Sequence, residues 1–582
     1  MKKWQLVASL IICSIFCYCF SATAFAATTP PPEEIRPEEF PATAAPGIIG
    51  KTFTPAQLEA NAPSNQTVPA QAQAAAGSQS SSIKFKLTRV IIEGNTVFSY
   101  SQLEPLFYKK LNTTITVGDL FQMVEDITNF YRNRGYILSR AILPPQHVEN
   151  GIVVIRVVEG FIQNVNVIGN PRGAKRIVYD YGHNISMDRP IRVQTMEYYL
   201  LLANEVPGTS VRAVLAPSKT TVGASDLNLA TYNKILTGYF SYDNYGTRYV
   251  GPQEDTLSIA GNSIFRSGDL TQVTYGTTPK GRELRYFDMS YNTPLGTDGL
   301  RWIFGGNDSR TKPLFTLAPL QINGDAKTFY TNFTYPVIRT QTSSLTLNAN
   351  FNYFDSQVLT ILDATLYQDH LRTVQLGGTG TLIDRYSGNN LLSFNVKKGL
   401  NFLGATTNTS PTAQTSRPGG TADFTKLTLQ ASRLQQLFWR FSAFFVYQGQ
   451  YTFNPLLSSE QFAFGGSQLG RAYDAAEIIG DRGMAGSAEL RMDFFPGNIL
   501  LQTLELYYYY DAGVIWNIKV NQGVKMKSSA TSTGFGGRFS LLKYVFGNLM
   551  FTQPLTKQVS AEEIIGEGRR PRIFFSLTAQ FS

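Results

Sequence analysis

Two carboxylates in the last quarter of the chain sit where a charge is costly. The stretch Leu504–Trp516 reads LELYYYYDAGVIW and places Asp511 in a strand that is otherwise almost wholly apolar or aromatic. Glu489 lies similarly in SAELRMDF. A carboxylate in such a strand must turn to an interior or hydrated face and find a cation. The nearest candidate is Arg471, in the segment 464–491, FGGSQLGRAYDAAEIIGDRGMAGSAELR, which is too long and glycine-rich for a hairpin turn. An arginine fork matches a carboxylate bidentately, so Arg471 paired with Asp511 or with Glu489 would pin this loop to a strand. The competing readings are a solvated loop arginine and carboxylates that line a hydrated pore.

Other chemistry is thinly represented. His147, His183 and His370 lie far apart in the sequence and fit no metal-ligand spacing. Gly465-Gly466-Ser467-Gln468-Leu469 lacks the last glycine of a nucleophile elbow. The sequence has no phosphate-binding glycine loop. Cys13, Cys17 and Cys19 all fall in the first 27 residues. The expectation is therefore a protein that is not an enzyme and uses no metal or cofactor. The net charge of +9 is spread over 582 residues without a basic cluster, so no nucleic-acid partner is expected.

The elements that must position these residues fall into five stretches. Residues 1–26 read as a signal peptide: Lys2 and Lys3, an apolar run, then Ala24-Phe25-Ala26 before the cleavage point. Residues 27–82, rich in Pro, Ala, Gln, Ser and Thr, read as a flexible periplasmic linker and a possible plug segment, with a weak helix signal at Pro55–Ala60. Residues 83–160 give the order β-α-α-β-β, with strands at 88–93, 137–143 and 152–158 and a short helix at 100–111. Their main helix has Asp119 as its cap and Leu120, Val124, Ile127 and Tyr131 on one face. Residues 161–233 form a second unit of similar size, with strands at 162–168, 209–216 and 225–231 and a helix at 195–203; residues 171–188 fit no element and read as loop.

From residue 234 to 582 a two-residue alternation takes over. In Leu345–Tyr353 the odd positions are Leu, Leu, Ala, Phe and Tyr and the even ones Thr and Asn. Trp439–Tyr451 alternates in the same way, and so does the last stretch, Phe574–Ser582. Strands put alternate side chains on opposite faces, so one face is apolar and the other suits water. Charged residues make up 16% and aromatics 13% of the chain, against about 25% charged in soluble domains. No helical stretch after the leader is long and apolar enough to span a membrane. The fold expected is mainly β, a closed transmembrane antiparallel barrel after two small α+β domains, since lipid offers open edges no partner. Sixteen strands would leave about 22 residues per strand and loop, and fourteen or eighteen fit almost as well.

The chain resembles the two-partner-secretion transporters of the ShlB/FhaC/HecB haemolysin secretion/activation type over residues 83–582. The resemblance rests on both β-α-α-β-β-like units, on MEYYLLLANEVPGTSVRAVLAPSKTTVGASDL, and on YDNYGTRYVGP as the first barrel strand and its loop. It also rests on YNTPLGTDG, on YPVIRTQTSSL, and on Gly480-Asp481-Arg482-Gly483 followed by AGSAELR. It implies two POTRA domains, a sixteen-stranded barrel in the outer membrane of a Gram-negative bacterium, and export of a large β-helical exoprotein such as a haemolysin, adhesin or toxin. Implied partners are that exoprotein, outer-membrane lipid and the barrel assembly machinery. The family's loop tip Val-Arg-Gly-Tyr corresponds here to Gly470-Arg471-Ala472-Tyr473, which implies a lumen-loop lock made by Arg471 and Tyr473 with Asp511, or with Glu489. Gly470 and Ala472 would set the loop-tip backbone. Such barrels end on an aromatic assembly signal, here expected at Phe581, one residue before the end. An insertase of the same superfamily and a passive porin or receptor are the alternative readings.

Overall fold

The structure is a computed structural model that describes residues 36–53, 84–407, 409–410, 413–498, 500–519 and 526–581. The expected signal peptide and the helix signal at Pro55–Ala60 lie outside the described residues.

The first unit holds strands β1 (Lys84–Lys86), β2 (Arg89–Glu93), β3 (Thr114–Thr116), β4 (Arg140–Ile142) and β5 (Ile152–Val158). β2 runs parallel to β5, and β4 antiparallel to it. Its long helix is Val117–Asn133; Leu120, Met123, Ile127 and Tyr131 are buried, with Val124 packed at the margin. Asp119 is not the cap. Thr116 caps the helix, its hydroxyl accepting from the Asp119 N–H at 3.2 Å, while the Asp119 carboxylate accepts from the Thr116 N–H at 2.9 Å. Those two Thr116 donors, backbone first and hydroxyl second, hold the Asp119 carboxyl below its ordinary range. The expected helix over 100–111 is broken into a turn of helix, Tyr100–Leu103, and two tight turns, because Pro105 cannot continue it.

The second unit has β6 (Phe161–Asn170), β7 (Thr209–Pro217) and β8 (Ala224–Asn233) in the order β6-β8-β7. Between β6 and β7 lie two helices, Lys175–Met187 and Val193–Glu205. The first corrects the reading of residues 171–188 as loop. Its residues Ile177, Val178, Tyr181 and Ile185 bury one face at helical spacing, although the segment is rich in weak helix formers. Gly182 is required by a close approach: a Cβ there would lie 2.5 Å from Val165 Cγ1. This unit abuts the barrel's near-side turns. Gln341 N–H donates to Glu197 at 2.6 Å, Tyr198 Oη to the Pro336 carbonyl at 3.0 Å, and Arg339 pairs with Glu205.

The barrel is closed and antiparallel, with sixteen strands. They begin with β9 (Leu236–Asp243), β10 (Glu254–Asn262), β11 (Leu270–Thr277), β12 (Leu284–Pro294) and β13 (Arg301–Thr311). Three long strands follow, β14 (Asn323–Arg339), β15 (Ser343–Leu359) and β16 (Thr365–Ile383), then β17 (Gly388–Gly399), β18 (Thr425–Gln436) and β19 (Phe441–Thr452). A short hairpin, β20 (Phe462–Phe464) and β21 (Ile478–Gly480), stands outside the barrel ladder. The wall closes with β22 (Arg482–Phe494), β23 (Leu501–Trp516), β24 (Lys527–Leu541), β25 (Val545–Pro554) and β26 (Arg572–Phe581). β26 pairs with β9 from Ser576–Asp243 to Phe581–Gly238. Closure leaves no free edge, and Phe329, Phe333, Leu347, Leu376, Phe394 and Phe445 stay exposed on the outward face. Trp439 falls in a turn instead of a strand, and only Tyr242 and Asp243 of YDNYGTRYVGP are strand.

Part of the expected linker is ordered. Residues 37–53 form three tight turns and one turn of helix, Pro46–Ile49. Phe40, Ala44, Ala45, Ile48 and Ile49 pack in one cluster with Tyr249, Leu284, Val358 and Tyr367. Phe53 stacks on Tyr286 with ring centres 4.6 Å apart. These few apolar residues find partners only on barrel strands and loops hundreds of positions away, which is why local composition reads as linker.

Candidate functional site

Segment 464–480 folds back against the inner wall. It leaves β20, turns through Gly465 and Gly466 at φ of +122° and +117°, and returns by β21. Phe464, Leu469, Tyr473 and Ile478 pack with Phe444, Val446, Ile515 and Ala530 of the wall. The loop is thus held by an apolar contact that brings the tip to β22 and β23, where Ser487 is paired with Asp511 and Glu489 with Tyr509.

Arg471 reaches both carboxylates. Its Nε and Nη2 donate to Asp511 Oδ2 and Oδ1 at 3.1 and 2.8 Å, a bidentate fork. Nη1 donates to Glu489 Oε2 at 2.6 Å and Nη2 also to Ser487 Oγ at 2.8 Å. The guanidinium carbon lies 3.5 Å from the Tyr509 ring centre. The backbone N–H groups of Gly470 and Arg471 both donate to Asp511 Oδ2 at 3.0 Å. Asp511, Glu489 and Arg471 are 0%, 4% and 5% exposed, so no water competes for these bonds. Glu489 also accepts from Arg491 and from Arg538, each at 2.7 Å, and Arg538 pairs with Glu505. Three arginines thus meet three carboxylates, so the network carries no net charge.

Gly470 sits at φ +74°, where a Cβ would also meet the Phe464 ring at 2.8 Å, so this position requires glycine. Ala472 is fully buried and is not among the residues with positive φ, so its methyl group is accommodated. Tyr473 donates its hydroxyl to the Thr531 carbonyl at 2.9 Å. Phe581 ends β26 with its ring against Gly238, where a Cβ would come within 2.5 Å of it. The histidines do not converge: His183 stacks on Tyr179, His370 pairs with Asp355 at 2.7 Å, and His147 lies in an exposed loop of the first unit. What the Arg471 network can do is mechanical: it pins the loop tip to one face of the wall.

Sequence reasoning missed a second set of tethers on the other side of the loop. Arg572, the first residue of β26, donates to Asp474 Oδ1 at 2.7 Å and to the Ala472 carbonyl at 3.1 Å. Glu477 pairs with Lys557 and accepts from the Ser560 N–H at 2.9 Å. Asp474 and Glu477 meet partners 98 and 80 residues away, Arg572 and Lys557, so nothing local in the sequence marks either pair.

Known proteins align with this architecture. The family model described as "Haemolysin secretion/activation protein ShlB/FhaC/HecB" matches residues 223–538, and "POTRA domain, ShlB-type" matches residues 85–160. The heme/hemopexin transporter protein HuxB of Haemophilus influenzae is 24% identical over 499 residues, 82% of this chain and 85% of HuxB. The outer membrane transporter CdiB of Dickeya dadantii is 23% identical over 418 residues, 70% of this chain and 72% of that one. The solved structure of CdiB from Escherichia coli superposes with a TM-score of 0.70 at 18% identity, covering 88% of this chain and 94% of that one, which shows the shared fold. With more than half of its length matched by the family model, the chain belongs to the ShlB/FhaC/HecB haemolysin secretion/activation family and is an outer-membrane β-barrel transporter of the two-partner-secretion type.

Proposed function

We propose that the chain exports one dedicated exoprotein, a large β-helical haemolysin, adhesin or toxin, across the outer membrane of a Gram-negative bacterium, with both α+β units in the periplasm. The observation that carries this reading is the double occupation of the barrel: residues 37–53 and the loop 464–480 both pack on its inner side, behind two folded units at its near end. A passive porin needs neither. Residues 37–53 act as the plug, and the Arg471–Asp511–Glu489 network is the lock that keeps the loop on the wall.

Capture begins on the second unit. β6 is an edge strand, and beside it runs a groove of about 680 Å³ lined by Val165, Val167, Ile168, Lys175, Arg176 and Tyr179. An unfolded exoprotein segment adds to this edge as a strand, bound by backbone hydrogen bonds and selected by alternate side chains. Passage follows once the plug withdraws, and folding of the exoprotein outside supplies direction.

The test is deletion of the gene with a comparison of secreted and outer-membrane proteins. Loss of one large secreted protein is the expected result. A general loss of outer-membrane barrels would point to an insertase, and loss of small-solute uptake alone to a porin; either outcome overturns the proposal.

A further inference from the structure

We infer that Asp481 and Arg417 are the outer fastening of the pore, a buried pair that holds three neighbouring external loops together at one side of the barrel mouth and parts when the exported chain leaves. This rests on the export reading above. Asp481 belongs to the Gly480-Asp481-Arg482-Gly483 run, which the lumen lock does not use. It opens no strand face of its own; it stands at the junction between the short hairpin and β22.

The pair reaches all three loops that meet there. Asp481 is fully buried and accepts from the Leu456 N–H at 2.8 Å and, on its other oxygen, from the Ile518 N–H at 2.7 Å. Arg417, in the loop between β17 and β18, donates to Asp481 and also to the carbonyls of Leu456 at 3.2 Å and Ile518 at 3.0 Å. Each partner therefore bonds the loop after β19 and the loop after β23 as well as the other partner. The Thr421 N–H adds a bond to the Pro455 carbonyl at 3.0 Å.

The underside of this assembly touches the plug. Lys51 donates to the Ser459 carbonyl, and the next residue, Glu460, is held by Lys397 at 3.0 Å and Lys426 at 2.7 Å. The segment 455–461 thus spans from the plug on one side to the Asp481–Arg417 pair on the other. Displacing the plug removes the Lys51 bond from the same short segment that the outer pair fastens.

The chemistry suits a fastening that opens. A buried ion pair often stabilises a fold no more than apolar side chains of the same size, because both charges must be dehydrated. At the external mouth that cost is recovered on parting, since both groups return to water. An apolar clasp of equal strength would leave its surface exposed in the open state. Asp481 and Arg417 are positioning residues: they set the loops and touch no cargo in the closed state.

A reversible cross-link in the full chain tests this. Ser458 N–H donates to Ser416 Oγ at 3.0 Å, and Ser458 Oγ to the Ser416 carbonyl at 3.2 Å, so these two side chains bridge the same pair of loops. The chain's own cysteines are at positions 13, 17 and 19, within the expected signal peptide. In a Ser416→Cys/Ser458→Cys variant, oxidation should lower export at least about tenfold and reduction should restore it, with each single variant exporting normally. A cross-link that forms quantitatively while export continues overturns the fastening. Asp481→Ala, in barrels that keep their heat-modifiable mobility, should speed protease cleavage within 400–424 on intact cells; unchanged cleavage also overturns it. Failure of the export reading shows separately, as a wild-type protein that supports no secretion in either redox state. The fastening is then read from ion conductance, and equal conductance of the reduced and oxidised variant overturns it.

Discussion

The lumen loop and the N-terminal segment share one barrel and are held by different forces. The loop tip is fixed by Arg471 between two buried carboxylates, with two backbone N–H groups on the same Asp511 oxygen. The segment 37–53 is held by an apolar cluster and scattered single hydrogen bonds, among them Thr247 Oγ1 to the Thr43 carbonyl at 3.0 Å. Charge in a dry site is specific in direction and expensive to break halfway; apolar contact is non-directional and can be given up residue by residue. The loop is built to keep one position. As the proposed plug, the segment is the part that would be displaced, by anything that offers the wall an equivalent surface.

The largest expected effect breaks the first half of that contrast. Arg471→Ala leaves Asp511 and part of Glu489 buried without their cation, at a cost of about 3–5 kcal/mol. Export should fall severely while the barrel still reaches the membrane, and thermal unfolding should show the loss. Arg471→Ala/Asp511→Ala should unfold at a temperature above that expected from adding the single effects, because the second change removes the stranded charge. Additive losses would mean that the pair is not coupled, and unchanged export would remove the lock from the mechanism.

The second half is tested at Ile49, which is buried in the N-terminal cluster. Ile49→Ala in a rigid core costs about 2–5 kcal/mol. Here the cost falls on docking of the segment, so barrel melting should stay within a few degrees of wild type while ion conductance in planar bilayers rises. A melting loss as large as that of Arg471→Ala, without added conductance, would make the segment a structural part of the barrel and end the contrast.

These two regions were unequally legible. Arg471, Asp511 and Glu489 stood out because a charge in an apolar strand is a local contradiction that the sequence displays by itself. The barrel wall followed from a period of two, while the count of sixteen strands came only with the family resemblance, since length fits fourteen or eighteen almost as well. The segment 37–53 was hidden, since its few apolar residues look like linker until the wall supplies their partners. Asp474–Arg572 and Arg417–Asp481 were hidden for a related reason: the partners are 98 and 64 residues apart, and only the closed wall brings them together. The helix Lys175–Met187 was read as loop because weak propensity masked a sound apolar stripe, which tertiary burial then decided.

The smallest effect calibrates the contrast by supplying a charge outside the barrel. Asp119 completes the capping box of the first unit's helix and lies 3.3 Å from Lys110, with its side chain 40% exposed. Asp119→Asn keeps an acceptor for Thr116 and removes the charge, which should cost about 0.5–1 kcal/mol. The folded carboxyl titrates below its unfolded value, so its contribution is complete above about pH 4 and fades as pH falls through the folded value. Hydrogen exchange of the first-turn amides should therefore differ between wild type and variant at neutral pH and converge in acid. Above pH 5 the difference should be flat, since the wild-type carboxyl is ionised in both states. If this exposed charge proved as costly to remove as Arg471, burial would not be what makes the lumen lock strong, and the distinction between a loop held by dry charge and a segment held by apolar contact would lose its physical basis.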